Sequence, residues 1–130
     1  MQILMITCLL ARYSRPGYFC RGDITKDVVD DWINEVKSYG IKSIICFLKD
    51  EFSEYGAVPG GLIEYYRSCG FTVEHIPVKD YQIPPLSEVD AKKTCVAFIK
   101  LPKPVLVHCS AGVDRTGCAV DHLKQLLVCD

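Results

Sequence analysis

The residues able to do chemistry gather in one run, His108-Cys109-Ser110-Ala111-Gly112-Val113-Asp114-Arg115-Thr116. It follows Val105-Leu106-Val107, an apolar stretch whose β-branched residues predict a short buried strand. A strand that passes through a glycine-containing loop into a helix puts that loop at the carboxyl end of a sheet, where α/β proteins bind ligands. Between Cys109 and Arg115 the chain can curl so that the backbone N–H groups of Ser110, Ala111, Gly112, Val113, Asp114 and Arg115 converge on an anion. The positive end of the following helix adds to their field. Gly112 lets the backbone turn and approach the ligand closely, and Arg115 offers a planar fork that grips a phosphoryl group as lysine does not. The same field favours the thiolate of Cys109, the nucleophilic form of a cysteine. Thr116 can donate a hydroxyl hydrogen bond towards the sulfur, and His108 can orient the loop through its ring N–H groups.

Departure of a leaving group from phosphorus needs a proton donor, commonly a carboxylic acid on a loop across the pocket. Asp80, in Pro77-Val78-Lys79-Asp80-Tyr81-Gln82-Ile83-Pro84-Pro85 just past a predicted strand end, is the favoured donor. Asp114 is its rival: directly before Arg115, its carboxylate can repel the phosphate, hold a water, or act as acid or base itself. Asp50 is a third candidate. Arg12 and Arg15 read either as a substrate rim or as surface charge. Cys46, at the end of a predicted central strand, reads as core packing, with a resolving thiol for oxidised Cys109 as the alternative. Trp32 belongs to an apolar helix face.

The elements that must position these residues alternate. Met1 to Ala11 reads as one strand or extended edge. Thr25 caps a helix whose apolar positions Val28, Val29, Trp32, Ile33 and Val36 share a face, and Gly40 ends it. Ile41 to Leu48 is a continuous apolar run, the mark of a strand buried on both faces. Gly60-Gly61 opens a helix through Leu62, Ile63, Tyr65 and Tyr66, and Phe71 to Val78 is the next strand. Ser87, with Asp90 three residues on, caps a helix running through Val89, Val96, Phe98 and Ile99 until Pro102. A last helix starts near Arg115 and is expected to be cut short at the C-terminus. Such alternation with short loops predicts an α/β fold: a central, mainly parallel sheet flanked by helices on both faces, with the cysteine loop between a central strand and a helix.

The chain has 130 residues, 49% apolar and 24% charged, with a formal net charge of -1. That suits one domain, 1–130, and gives no global attraction for nucleic acid or anionic lipid, so anion recognition has to be local. The apolar start lacks a basic flank and is far shorter than the roughly 20 residues of a membrane span, so no membrane anchor is expected. Eight cysteines (Cys8, Cys20, Cys46, Cys69, Cys95, Cys109, Cys118, Cys129) include several inside apolar runs. No CxxC pair occurs, and Cys118 with His122 completes no zinc spacing, so reduced thiols, a cytoplasmic setting and no metal are expected.

The run HCSAGVDRT followed by Gly117 resembles the signature loop of cysteine-dependent protein-tyrosine phosphatases, and the small size of the chain resembles their dual-specificity branch. The resemblance implies a phosphatase-like fold and a phosphocysteine intermediate on Cys109. Arg115 would hold the transferring phosphoryl group, with no metal or cofactor. The segment around Asp80 resembles the family's general-acid loop. The implied partner is a phosphorylated protein or peptide carrying phosphotyrosine, with phosphoserine and phosphothreonine as further substrates; no nucleic-acid partner is expected. The chain departs from many dual-specificity enzymes at Asp114, where they carry glycine; some bacterial and lipid-directed relatives resemble this ending. Two other readings stay open, a non-catalytic phosphate- or phosphopeptide-binding module and a phosphatase for phosphoinositide or RNA 5′-triphosphate. Asp114 and the lack of a basic cluster weigh against the highly anionic substrates.

Overall fold

The apolar N-terminal stretch folds back on itself. A computed structural model describes residues 2–20 and 22–127, so that Met1 and Cys129 lie outside the described residues. In it the expected single strand is an antiparallel pair, β1 (Leu4–Thr7) and β2 (Leu10–Tyr13). Thr7 Oγ1 accepts the Leu9 amide at 3.0 Å across the turn, a local side-chain bond that competes with continued extension. β1 is the edge strand, with Leu4 exposed, whereas Leu10 and Ala11 of β2 are fully buried.

Helix α1 (Lys26–Ser38) starts where Thr25 Oγ1 accepts the Val28 amide and ends before Gly40, whose φ of 76° reverses the chain. Its buried face is Val29, Trp32, Ile33 and Val36, as the spacing predicts. Strand β3 (Ser43–Cys46) follows, then a 3₁₀ segment (Asp50–Tyr55) that periodicity does not reveal. After these come α2 (Leu62–Ser68), β4 (Thr72–His75), α3 (Glu88–Lys100), β5 (Val105–His108) and α4 (Asp114–Leu127).

The five strands form one sheet in the order β1-β2-β5-β3-β4, with every pairing parallel except β1 with β2. Ile44 and Cys46 face the cluster built by α1 and α2, and Ile45 and Phe47 face the one built by α3 and α4. The sheet is therefore covered on both faces, which is why β3 reads as an unbroken apolar run. The α/β architecture expected from the alternation is the one observed.

Helix α3 forms where its cap and apolar residues place it, and buries a face that most of those apolar residues do not mark. Ser87 Oγ accepts the Asp90 amide at 3.1 Å, the expected cap. The buried face is however Ala91, Thr94, Ala97 and Phe98, and Val89, Val96 and Ile99 are exposed on the opposite side. Small residues at that spacing let α3 pack closely, so volume rather than hydrophobicity selects the inward face. No helix among the described residues is long and apolar enough to cross a membrane.

Candidate active site

β5 delivers His108 and Cys109 to the carboxyl edge of the sheet, flanked by β2 and β3. The loop that follows is held from outside through its carbonyls. His108 C=O accepts the Phe47 amide at 3.0 Å, Ser110 C=O accepts the Arg15 amide at 2.9 Å, and Val113 C=O accepts the Gly117 amide at 2.8 Å. Gly112 C=O accepts Arg12 Nη2 at 2.8 Å. A planar trans peptide points its N–H opposite to its C=O, so outward carbonyls at Ser110, Gly112 and Val113 turn the amides of Ala111, Val113 and Asp114 inward. Gly112 has φ of 78°, the left-handed region that glycine enters without strain. Cys109, at the start of this loop, is 2% exposed.

Arg115, in the first turn of α4, is 1% exposed and almost fully engaged. Its Nη1 donates to Val78 C=O at 2.7 Å and Phe47 C=O at 3.1 Å, and its Nη2 to Glu51 Oε2 at 2.6 Å. Asp80 Oδ2 lies 3.3 Å from the same Nη2. Nε is buried and has no hydrogen-bond partner among the described residues, so the Nε edge of the fork is the one left for an anion. Burial pulls the Arg115 pKa down, but the Glu51 carboxylate outweighs it and holds the guanidinium charged. Burial likewise pushes Glu51 up, yet Arg115 and the Lys49 amide bring its carboxyl below the usual range. Glu51 was not singled out from the sequence; the available signal is its place just past the carboxyl end of the central apolar run.

Asp80 is half-buried, accepts the Tyr81 amide on Oδ1 at 3.0 Å and turns its other oxygen to Arg115. Asp114 is exposed at the start of α4, and Asp50 is exposed in the 3₁₀ segment. The fold thus brings together Cys109, Arg115 and Asp80, and leaves Asp114 and Asp50 exposed with no ion pair among the described residues.

His108 is fully buried, and burial lowers its pKa to about 4. It is neutral at pH 7, with one N–H rather than the two anticipated. Cys109 C=O, 3.1 Å from Nδ1, can only accept, so Nδ1 carries the proton and Nε2 accepts the Tyr66 hydroxyl at 3.0 Å. Trp32 stacks between Tyr13 and Tyr66 and meets the His108 ring edge-on, so the core aromatic expected in α1 also sets the ring that orients the loop. The Thr116 hydroxyl is buried without a partner among the described residues, so the expected bond to the Cys109 sulfur is not formed in this conformation.

Cys46 is in register with His108 on the α1/α2 face, whereas Cys109 packs with the α3/α4 cluster. Burial pushes the Cys46 thiol up to about 12, which makes it a packing residue and a poor resolving nucleophile. Arg12 and Arg15 are neither a solvated rim nor free surface charge. Arg15 is 7% exposed, donating from Nε to Ser110 Oγ at 3.0 Å and from Nη1 to the Tyr55 hydroxyl at 3.1 Å, with Glu54 at 2.9 Å from Nη2. They brace the outside of the cysteine loop.

Residues 23–125 match the family model for the DSP-PTPase phosphatase of polymorphic toxin systems, Tc-R-P. Among solved structures the chain is similar to the core catalytic domain of the PP-IP phosphatase SIW14 from S. cerevisiae. That TM-score is 0.67 at 16% identity, over 98% of this chain and 67% of the other. It is also similar to the kinase associated phosphatase KAP, with TM-score 0.59 and 22% identity over 89% of this chain and 74% of that one. For P. aeruginosa TpbA in complex with pTyr the TM-score is 0.54 at 15% identity, over 88% and 57% of the two chains. A stretch of 29 residues is 62% identical to mouse tyrosine-protein phosphatase non-receptor type 18, covering 21% of this chain and 6% of that relative's length. These likenesses carry the fold, and the family match over most of the length carries the kinship: the chain belongs to the DSP-PTPase phosphatases of polymorphic toxin systems, within the cysteine-dependent protein-tyrosine phosphatase superfamily.

Proposed function

We propose that this phosphatase hydrolyses phosphate monoesters, phosphotyrosine first among them, through a phosphocysteine on Cys109. The observation that carries the reading is the meeting of Asp80 with Arg115 beside a buried cysteine at the start of a loop with inward-facing amides. The phosphoryl oxygens bind the loop amides and the Nε edge of Arg115. As they take over the Nη2 hydrogen that faces Asp80, that carboxyl is released towards the leaving oxygen. The Cys109 thiolate attacks phosphorus, the S–P bond forms, the P–O bond breaks, and protonated Asp80 gives its proton to the departing alkoxide or phenoxide. Water then attacks the phosphocysteine, Asp80 takes the water's proton, and inorganic phosphate leaves with the thiolate restored.

The choice among substrates rests on the rim. Tyr18 and Phe19 after β2, Tyr81 and Ile83 beyond Asp80, and Val113 in the cysteine loop are all exposed apolar side chains on segments at this edge. Lys79 beside Asp80 and Lys49 just before the 3₁₀ segment are exposed cations, set against the exposed Asp50 and Asp114. An apolar rim with no excess of cations suits a single phosphate on an aromatic ring better than a polyphosphorylated inositol or an RNA 5′-triphosphate. The pTyr-bound TpbA, rather than the yeast PP-IP phosphatase, is the relative this rim favours.

The test is a leaving-group series of aryl phosphates, with Cys109→Ser as the blank. Asp80→Asn should retain most activity on para-nitrophenyl phosphate, whose leaving group needs little protonation. It should lose about a hundredfold on phenyl phosphate, the scale of general-acid catalysis. Asp114→Asn should lose far less. A wild-type rate on phenyl phosphate in Asp80→Asn removes Asp80 from the mechanism, and absence of turnover by the unmodified chain would leave the phosphate-binding module.

A further inference from the structure

Strand β2 and the segment just after it send two guanidinium groups to the outside of the cysteine loop, and they differ in how their charge is balanced. Arg15 has the Glu54 carboxylate 2.9 Å away, just as Arg115 has Glu51. Arg12 forms no ion pair among the described residues. Its Nη2 donates to Gly112 C=O at 2.8 Å and lies 3.4 Å from Val113 C=O, and its Nε is buried without a partner among the described residues. Room for this group is made by Gly117 in α4, where a Cβ would lie 3.3 Å from Arg12 Nη2.

We infer that Arg12 is a positioning residue for phosphate binding, acting on the anion through the backbone of the cysteine loop. By drawing the Gly112 and Val113 carbonyls outward it turns the next two amides, of Val113 and Asp114, towards the anion, because each peptide unit is planar. Its charge, unneutralised and half-buried, adds to the field inside the loop, where screening by water is weaker than at the surface. Both carbonyls are met by the one nitrogen Nη2, so a lysine ammonium would keep part of the contact but not the planar guanidinium seated beside Gly117. Gly117 belongs to the same device, since a Cβ there would press on Nη2 and shift the guanidinium by a few tenths of an ångström relative to its carbonyl.

The inference rests on phosphate being the ligand of this loop, as proposed above, but its test does not need turnover. Tungstate, an unreactive tetrahedral oxyanion, is titrated into the full chain by calorimetry, with thermal melting recorded alongside. Arg12→Met should bind tungstate about tenfold to a hundredfold more weakly, the scale of a lost charged hydrogen bond, and Arg12→Lys should recover part of the loss. Gly117→Ala separates positioning from folding. Gly117 has ordinary helical φ, so alanine should hold or raise the melting temperature while tungstate affinity falls severalfold. A purely structural role would move the two together. Folded Arg12→Met with native tungstate affinity overturns the inference; if that variant does not fold, native affinity in Gly117→Ala overturns it. Arg12-dependent tungstate binding by a chain that does not hydrolyse para-nitrophenyl phosphate would defeat the hydrolase reading and leave this one standing.

Discussion

His108 holds its single ring proton on Nδ1, and the cost of charging it is set by its surroundings. Trp32 and Tyr66 pack against the ring, and neither offers a negative charge. Its pKa is about 4 in the folded chain against an ordinary 6.5, so between those values the unfolded chain binds the extra proton and the folded chain does not. Stability is therefore lost as pH falls from about 6.5 to about 4. From pH 7 to pH 5 the loss from this one residue should be about 2 kcal/mol. Urea unfolding at the two pH values measures it, and His108→Gln should flatten the difference by that amount. An unchanged pH difference in the variant would mean that other groups carry the acid sensitivity. Glu51 pushes in the same direction, since its depressed carboxyl is also protonated more readily in the unfolded chain. Asp80 is coupled to this residue scale through Arg115, which is why its replacement is read by leaving group and not by stability.

Helix α3 carries the clearest lesson at the scale of elements. Its apolar residues divide into a buried Phe98 and an exposed Ile99 that the sequence pattern treats alike. Phe98→Ala should cost about 3–5 kcal/mol through the cavity it leaves, whereas Ile99→Lys should lie within about 0.5 kcal/mol of the native chain. Chemical denaturation of both variants checks the assignment, and a severe loss in Ile99→Lys would mean that this face is covered. The N-terminal hairpin belongs to the same scale. Because the chain turns at Thr7 to Leu9, β2 lies beside β5 in parallel register, Arg12 opposite Val107 and Tyr13 opposite His108. That register carries Arg12 and Arg15 to the outside of the cysteine loop.

At the scale of the whole molecule, the anion loop is a junction. β2 with the segment after it, β3 with the 3₁₀ segment, the loop after β4, and α4 all hold some part of it, and Arg115 alone ties β3, the Asp80 loop and Glu51 together. An anion that binds there should stabilise the entire fold. Tungstate at 100 times its dissociation constant should add about 2.7 kcal/mol and raise the melting temperature by several degrees. Arg115→Met should abolish that increment, as differential scanning calorimetry with and without tungstate would report. Protection that survives in Arg115→Met would mean that the anion binds elsewhere.

What the sequence determined by itself was the chemistry of short range. The order Cys109, Gly112, Arg115 between a β-branched strand and a helix carries the proposed nucleophile and oxyanion grip, because such functions are written in residue types a few positions apart. The alternation of helices and strands was legible for the same reason, since a buried strand and an amphipathic helix each declare themselves within a window of about ten residues. The tertiary structure alone decided which distant groups meet. Asp80 and Asp114 are equally acidic in the sequence, and only the loop after β4 brings the first to Arg115 while α4 turns the second to solvent. Glu51 and Arg12 carry no motif; the parallel register of β3 and β2 beside β5 makes them neighbours of the loop. Charge pairing falls off over a few ångströms in space, and separation along the chain does not encode it.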